Sequence, residues 1–131
     1  MINYTEKFEK MRIAGKLAAQ TLDMLTDNIK EGVSTDHIDK LGYEFIRDHG
    51  GYSAPLYYRG FTKSLCTSLN HVVCHGIPSD RILRDGDAIN VDVTAVQPSF
   101  NIFTSYLPVL IIGSIVKVIP GLKSIPEFLF P

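Results

Sequence analysis

Residues 83–94 read Leu83-Arg84-Asp85-Gly86-Asp87-Ala88-Ile89-Asn90-Val91-Asp92-Val93-Thr94. Arg84-Asp85-Gly86-Asp87 has the composition of a turn, with Gly86 free to take a positive φ. From Ala88 onward the side chains alternate with the period of a strand. Ile89, Val91 and Val93 share an apolar face, and Asn90, Asp92 and Thr94 a polar one. Asp92 therefore stands between two neutral polar residues on a stiff element, a setting suited to holding a metal ion or a proton in place.

Toward the amino terminus the strand pattern continues. Residues 65–69 and 72–74 read as two short strands about an Asn70-His71 turn, each carrying one free, buried thiol, Cys66 and Cys74. Before Gly51 the period becomes helical. Phe8, Met11, Ala14, Leu17, Ala18, Leu22 and Leu25 recur at three- and four-residue spacing. That stripe predicts a helix from a Thr5 cap to about Asn28, with Glu6 and Glu9 at its positive end. Ser34 or Thr35 caps a second helix with Ile38, Leu41, Phe45 and Ile46 as its stripe, and His49-Gly50-Gly51 ends it.

Toward the carboxyl terminus the text changes. Residues 1–92 carry 24 of the 27 charged side chains, and beyond them only Lys117, Lys123 and Glu127 remain. Residues 93–131 also hold five of the seven prolines and 19 Val, Ile, Leu or Phe. The break divides the chain into residues 1–94 and a divergent hydrophobic tail, 95–131, with no assigned structure. Within the tail, residues 106–119 (YLPVLIIGSIVKVI) make an apolar run of 14, interrupted by Pro108 and Gly113. A spanning helix needs about 20 residues, so no membrane span is expected. A β-branched run with few charges offers instead a surface for self-association.

The whole chain has 131 residues, enough for one ordinary domain with its own core. A net charge of −1 argues against a nucleic-acid surface. Two cysteines outside any CxxC pattern and a charged start without a signal-peptide core point to the cytoplasm.

Three runs together carry a resemblance: Glu9-Lys10-Met11-Arg12-Ile13-Ala14-Gly15, Ser64-Leu65-Cys66-Thr67-Ser68-Leu69-Asn70-His71-Val72-Val73-Cys74-His75-Gly76-Ile77-Pro78, and the 83–94 run itself. In this order and spacing they resemble type I methionine aminopeptidase, over residues 4 to about 94. The resemblance implies the amino-terminal half of an α/β (α+β) pita-bread fold, here two helices plus antiparallel strands. It implies a hydrolase that removes the initiator methionine from nascent proteins when the next residue is small, acting on peptide N-termini. Such an enzyme uses two divalent metals, Co, Mn, Fe or Zn, on two Asp, one His and two Glu. Matched residue by residue, Asp92 falls on the first metal-binding Asp and His75 on the catalytic histidine beside the substrate. Tyr58, Phe61 and Cys66 fall where the methionine pocket is lined. Asn70 and Val72 fall where backbone carbonyls hold a structural monovalent cation in some members, and Pro55 departs from the usual Cys.

The chemistry suits these types. Carboxylates bridging two cations lower the pKa of a shared water, and an apolar, aromatic wall with a sulfur suits a thioether. The resemblance stops at Thr94. Its next motif, a GDTS-like strand with the second metal Asp, is replaced by Ala95-Val96-Gln97-Pro98. No Asp follows Asp92, no His follows His75, and Glu127 is the one later Glu. Two readings follow. One is a metalloaminopeptidase cut short or frame-disrupted after its first half, lacking most metal ligands, inactive and only marginally stable. The other is a non-catalytic binding protein on half of the scaffold.

Overall fold

The structure is a computed structural model that describes residues 4–98 and 109–119. Helix α1, Tyr4–Asn28, buries Ala14, Leu17, Ala18 and Leu25 of the predicted stripe, with Thr21 besides, and half-buries Leu22. Phe8 and Met11 belong to the same stripe yet remain exposed. The reason is where the sheet ends. A Cβ added at Gly51 would lie 2.5 Å from Leu17 and 3.1 Å from the Val96 carbonyl, so Leu17 already sits at the sheet's margin. The earlier turns of α1 extend past it, and Thr5 is inside the helix rather than its cap.

Helix α2, Thr35–Asp48, starts as its sequence dictates. Ser34 is extended, and its hydroxyl accepts from the backbone N–H of His37 at 3.1 Å, satisfying one free donor of the first turn. The helix stops at His49, and Gly50 takes φ +77°, the left-handed turn that sends the chain into the sheet.

The strands are β1 (Tyr52–Ser53), β2 (Cys66–Leu69), β3 (Ala88–Gln97) and β4 (Val109–Val118). The pairings between these strands are antiparallel and all run through β3, and an isolated bridge joins Ser34 to Ile82. β2 pairs Cys66, Thr67, Ser68 and Leu69 with Asp92, Val91, Asn90 and Ile89, and β1 pairs with Val96 and Ala95 beyond them. β4 pairs along the whole of β3, from Ala88 opposite Val118 to Gln97 opposite Val109. A strand has two edges, so β1 and β2 lie end to end on one edge of β3 and β4 on the other. Strand β3 thus continues through 95–97, and β4 gives residues 109–118 of the hydrophobic tail a defined register. The rest of the tail, 99–108 and 120–131, lies outside the described residues.

Both helices pack on one face of the sheet. Ile89, Val91, Val93 and Ala95 are fully buried there against Leu17, Ala18 and Leu25 of α1, Ile38 and Ile46 of α2, and Leu65. Each such aliphatic side chain contributes roughly 1.5–3 kcal/mol on burial. Lys117 of β4 fastens the far end of α1 by donating to the Thr26 carbonyl at 2.6 Å, a cation at the negative end of a helix. Among the described residues no helix is long and apolar enough to cross a membrane.

Candidate functional site

The face of β3 turned away from the helices carries Asn90, Asp92 and Thr94, all half-buried. Because Cys66 pairs with Asp92 and Ser68 with Asn90, the alternation of β2 places Cys66 and Ser68 on that same face. The Asn90 amide donates to Asp92 Oδ2 at 2.9 Å. Burial raises the Cys66 thiol above its ordinary value, and the negative charges of Asp92 and Asp39 push the same way. At neutral pH the sulfur is therefore a thiol rather than a thiolate.

A loop then runs back along the edge of β2 away from β3. After β2 the chain turns at Asn70, with Val72 N–H donating to the Leu69 carbonyl at 2.9 Å. It returns at Gly76, whose carbonyl accepts from Thr67 N–H at 2.8 Å and whose N–H donates to Ser68 Oγ at 3.1 Å. The approach leaves no room for a side chain, since a Cβ on Gly76 would lie 2.0 Å from the Thr67 carbonyl oxygen. His75, immediately before it, is exposed and held at φ +55°.

The second strand expected at 72–74 does not form. Asn70 (φ +51°) and His75 (φ +55°) are both left-handed, a conformation no strand accepts, so the chain between them bows outward. Val73 is 91% exposed, and Cys74, expected buried, is exposed as well.

Tyr58 and Phe61 belong to the tight turn ahead of β2. Phe61 N–H donates to the Tyr58 carbonyl at 2.9 Å, and Tyr57 N–H to the Phe61 carbonyl at 2.8 Å. Tyr58 is exposed with the Arg59 guanidinium over its ring at 5.4 Å, while Phe61 is half-buried. The structure thus sets Cys66 directly beside Asp92 and hangs His75 from the neighbouring loop. Tyr58 and Phe61 sit on a separate turn.

Two acidic residues that sequence reasoning left unassigned hold this framework. Asp39 of α2 accepts at one oxygen from Ser64 N–H (2.8 Å), Ser64 Oγ (2.8 Å) and Leu65 N–H (3.0 Å), fixing the entry to β2. Lys63 adds an ion pair to Asp36 at 2.6 Å, which raises the lysine pKa. At the far end Asp87, 7% exposed, ties the 84–87 turn to Asn70. Neither role is visible locally, because the partners lie 17 to 26 residues away.

As for a metal, the outer face of β3 offers one carboxylate among the described residues, Asp92. Among them no three His, Cys, Asp or Glu side chains converge on a point that could hold an ion. Taken alone they do not fit a resident metal.

Comparison with known proteins reaches the same region. The pattern of metallopeptidase family M24 matches residues 9–101. A methionine aminopeptidase of Rickettsia prowazekii is 56% identical over 94 residues, 71% of this chain and 36% of that protein. The chain spans about a third of the length of the curated relatives it matches, 32% of the second of them, methionine aminopeptidase 2 of Mycobacterium tuberculosis. The crystal structure of the Rickettsia enzyme superposes with a TM-score of 0.70 at 54% identity, over 72% of this chain and 38% of that one. A methionine aminopeptidase structure from Thermotoga maritima reaches 0.77 over 92% of this chain and 45% of that one, at 23% identity, a likeness of fold alone.

Proposed function

The chain belongs to metallopeptidase family M24, its helices and antiparallel sheet forming part of the pita-bread fold, and from that premise we propose that it carries the first portion of a methionine-removing site. Asp92 is the first metal carboxylate, His75 stands beside the scissile bond, and Tyr58, Phe61 and Cys66 belong to the methionine pocket. The substrate is the N-terminus of a peptide or nascent protein in the cytoplasm, and the metal a divalent ion such as Co, Mn, Fe or Zn.

One observation carries this reading. Cys66 and Asp92, which the motifs assign to pocket and metal, are direct cross-strand partners on the face away from the helices. A neutral buried sulfur beside a half-buried carboxylate suits a thioether side chain placed next to a metal ligand. The family also implies further carboxylate and imidazole ligands, and the sequence after Asp92 has no Asp or His and one Glu. On this reading the chain alone does not turn over, and residues 1–94 act together with a segment that supplies those ligands.

Complementation tests it. The purified chain is mixed with the remaining carboxyl-terminal portion of the Rickettsia enzyme and Mn, and methionine release from a Met-Gly peptide is followed. Release that needs both parts and vanishes with Asp92→Ala is the expected result. No release from a stably associated mixture would favour a non-catalytic binding protein instead.

A further inference from the structure

We propose that Asp87 is a positioning residue that sets the 70–76 loop, and with it His75, through Asn70. The functional meaning given to His75 rests on the reading above; the physical coupling does not.

Asp87 collects more donors than its turn requires. Closing the 84–87 turn uses one bond, Arg84 N–H to Oδ2 at 2.8 Å. The carboxylate also accepts from the Asn70 amide at Oδ1 (2.9 Å) and from the Arg81 guanidinium at both oxygens (3.0 and 3.3 Å). Only an ionised carboxylate, two oxygens and no hydrogen, can accept from all of them at once. An amide in its place would turn an NH2 group toward the Asn70 amide or toward Arg81.

Asn70 is bound just as fully. Besides the bond to Asp87, its Oδ1 accepts from Ala88 N–H at 3.0 Å, and its own N–H donates to the Ala88 carbonyl at 2.8 Å. Three bonds thus hitch the left-handed residue at the start of the loop to the start of β3. The loop's other end is hitched to β2 at Gly76. Between them His71, Val73, Cys74 and His75 are exposed and Val72 is 38% exposed, so burial does little to fix them. Their place is set from the two ends, and Asp87 governs one of them.

The test is amide hydrogen exchange of the purified chain, wild type and Asp87→Asn, at neutral pH. The proposal expects amides 70–76 to exchange at least tenfold faster in the variant, while Val91 and Val93 are unchanged. Carbethoxylation of His75 should change in rate, with His37 and His49 as internal controls. Asn70→Ala should reproduce the effect and add little in the double variant; it also carries the test if Asp87→Asn does not fold. Uniform acceleration across the sheet, or an unchanged loop in Asn70→Ala, would overturn the proposal. In the complementation assay Asp87→Asn should lower kcat and leave KM in place. A silent assay with a loosened loop would count against the functional reading and not against the coupling.

Discussion

Ile89, Val91 and Val93 are sealed against the helices, while Asn90, Asp92 and Thr94, each one residue away on the same strand, stay half-buried on the opposite face. The inner face is explained by folding alone, because each aliphatic side chain there removes apolar surface from water. The outer face is not. Asn and Asp are depleted in strands, and β3 is the strand through which every described pairing between strands runs. Such a local conflict in the middle of a sheet is characteristic of a functional position. The inner face holds the fold, and the outer face carries polar groups that the fold tolerates.

That contrast can be broken most violently from inside. Val91→Asp would bury an unpaired charge at a fully sealed position and cost about 4 kcal/mol or more, a large share of a small domain's stability. Circular dichroism should show no folded population. The close approach of Gly76 to the edge of β2 is the next most sensitive point. Gly76→Ala forces a methyl against the Thr67 carbonyl and should cost about 2–3 kcal/mol, read as a lower denaturant midpoint.

Acid sharpens the comparison at the base of β3. Hydrogen bonds from Asn70 and Arg84, with Arg81 adding to them, hold the Asp87 carboxyl below its ordinary range. A lowered folded pKa means the unfolded chain takes up the proton first as pH falls. The stabilisation is therefore complete above the unfolded value of about 3.9 and is lost below it, through the folded value. Stability measured between pH 6 and pH 2 should fall less steeply in Asp87→Asn. The smallest effect belongs to the outer face itself. Among the described residues Asp92→Asn touches the Asn90 bond alone, and it should shift stability by no more than about 0.5 kcal/mol by chemical denaturation.

The same contrast governs how much the sequence revealed. Both helices and β3 were legible because each commits an apolar set to a single period, and the outward aim of Asp92 followed from alternation alone. Val72 and Val73 were overread as a strand: their β-branched side chains fit one, but the left-handed backbone at Asn70 and His75 is set by distant bonds and by Gly76. For the same reason the sequence assigns Asp39 no role and Asp87 only a place in a turn, since their partners lie in other elements. Strand β4 was hidden in a stretch whose composition resembles a sticky tail, because its register is supplied entirely by β3.

The most direct measurement is methionine release from a Met-Gly tripeptide by the purified chain with added Mn, Co or Fe, beside an identically prepared Asp92→Ala protein. The account predicts no difference between them, Asp92 being the one carboxylate among the described residues of the outer face and too few to organise the reaction. Release by the chain that disappears with Asp92→Ala would contradict it, and would mean that this chain assembles a complete site by itself.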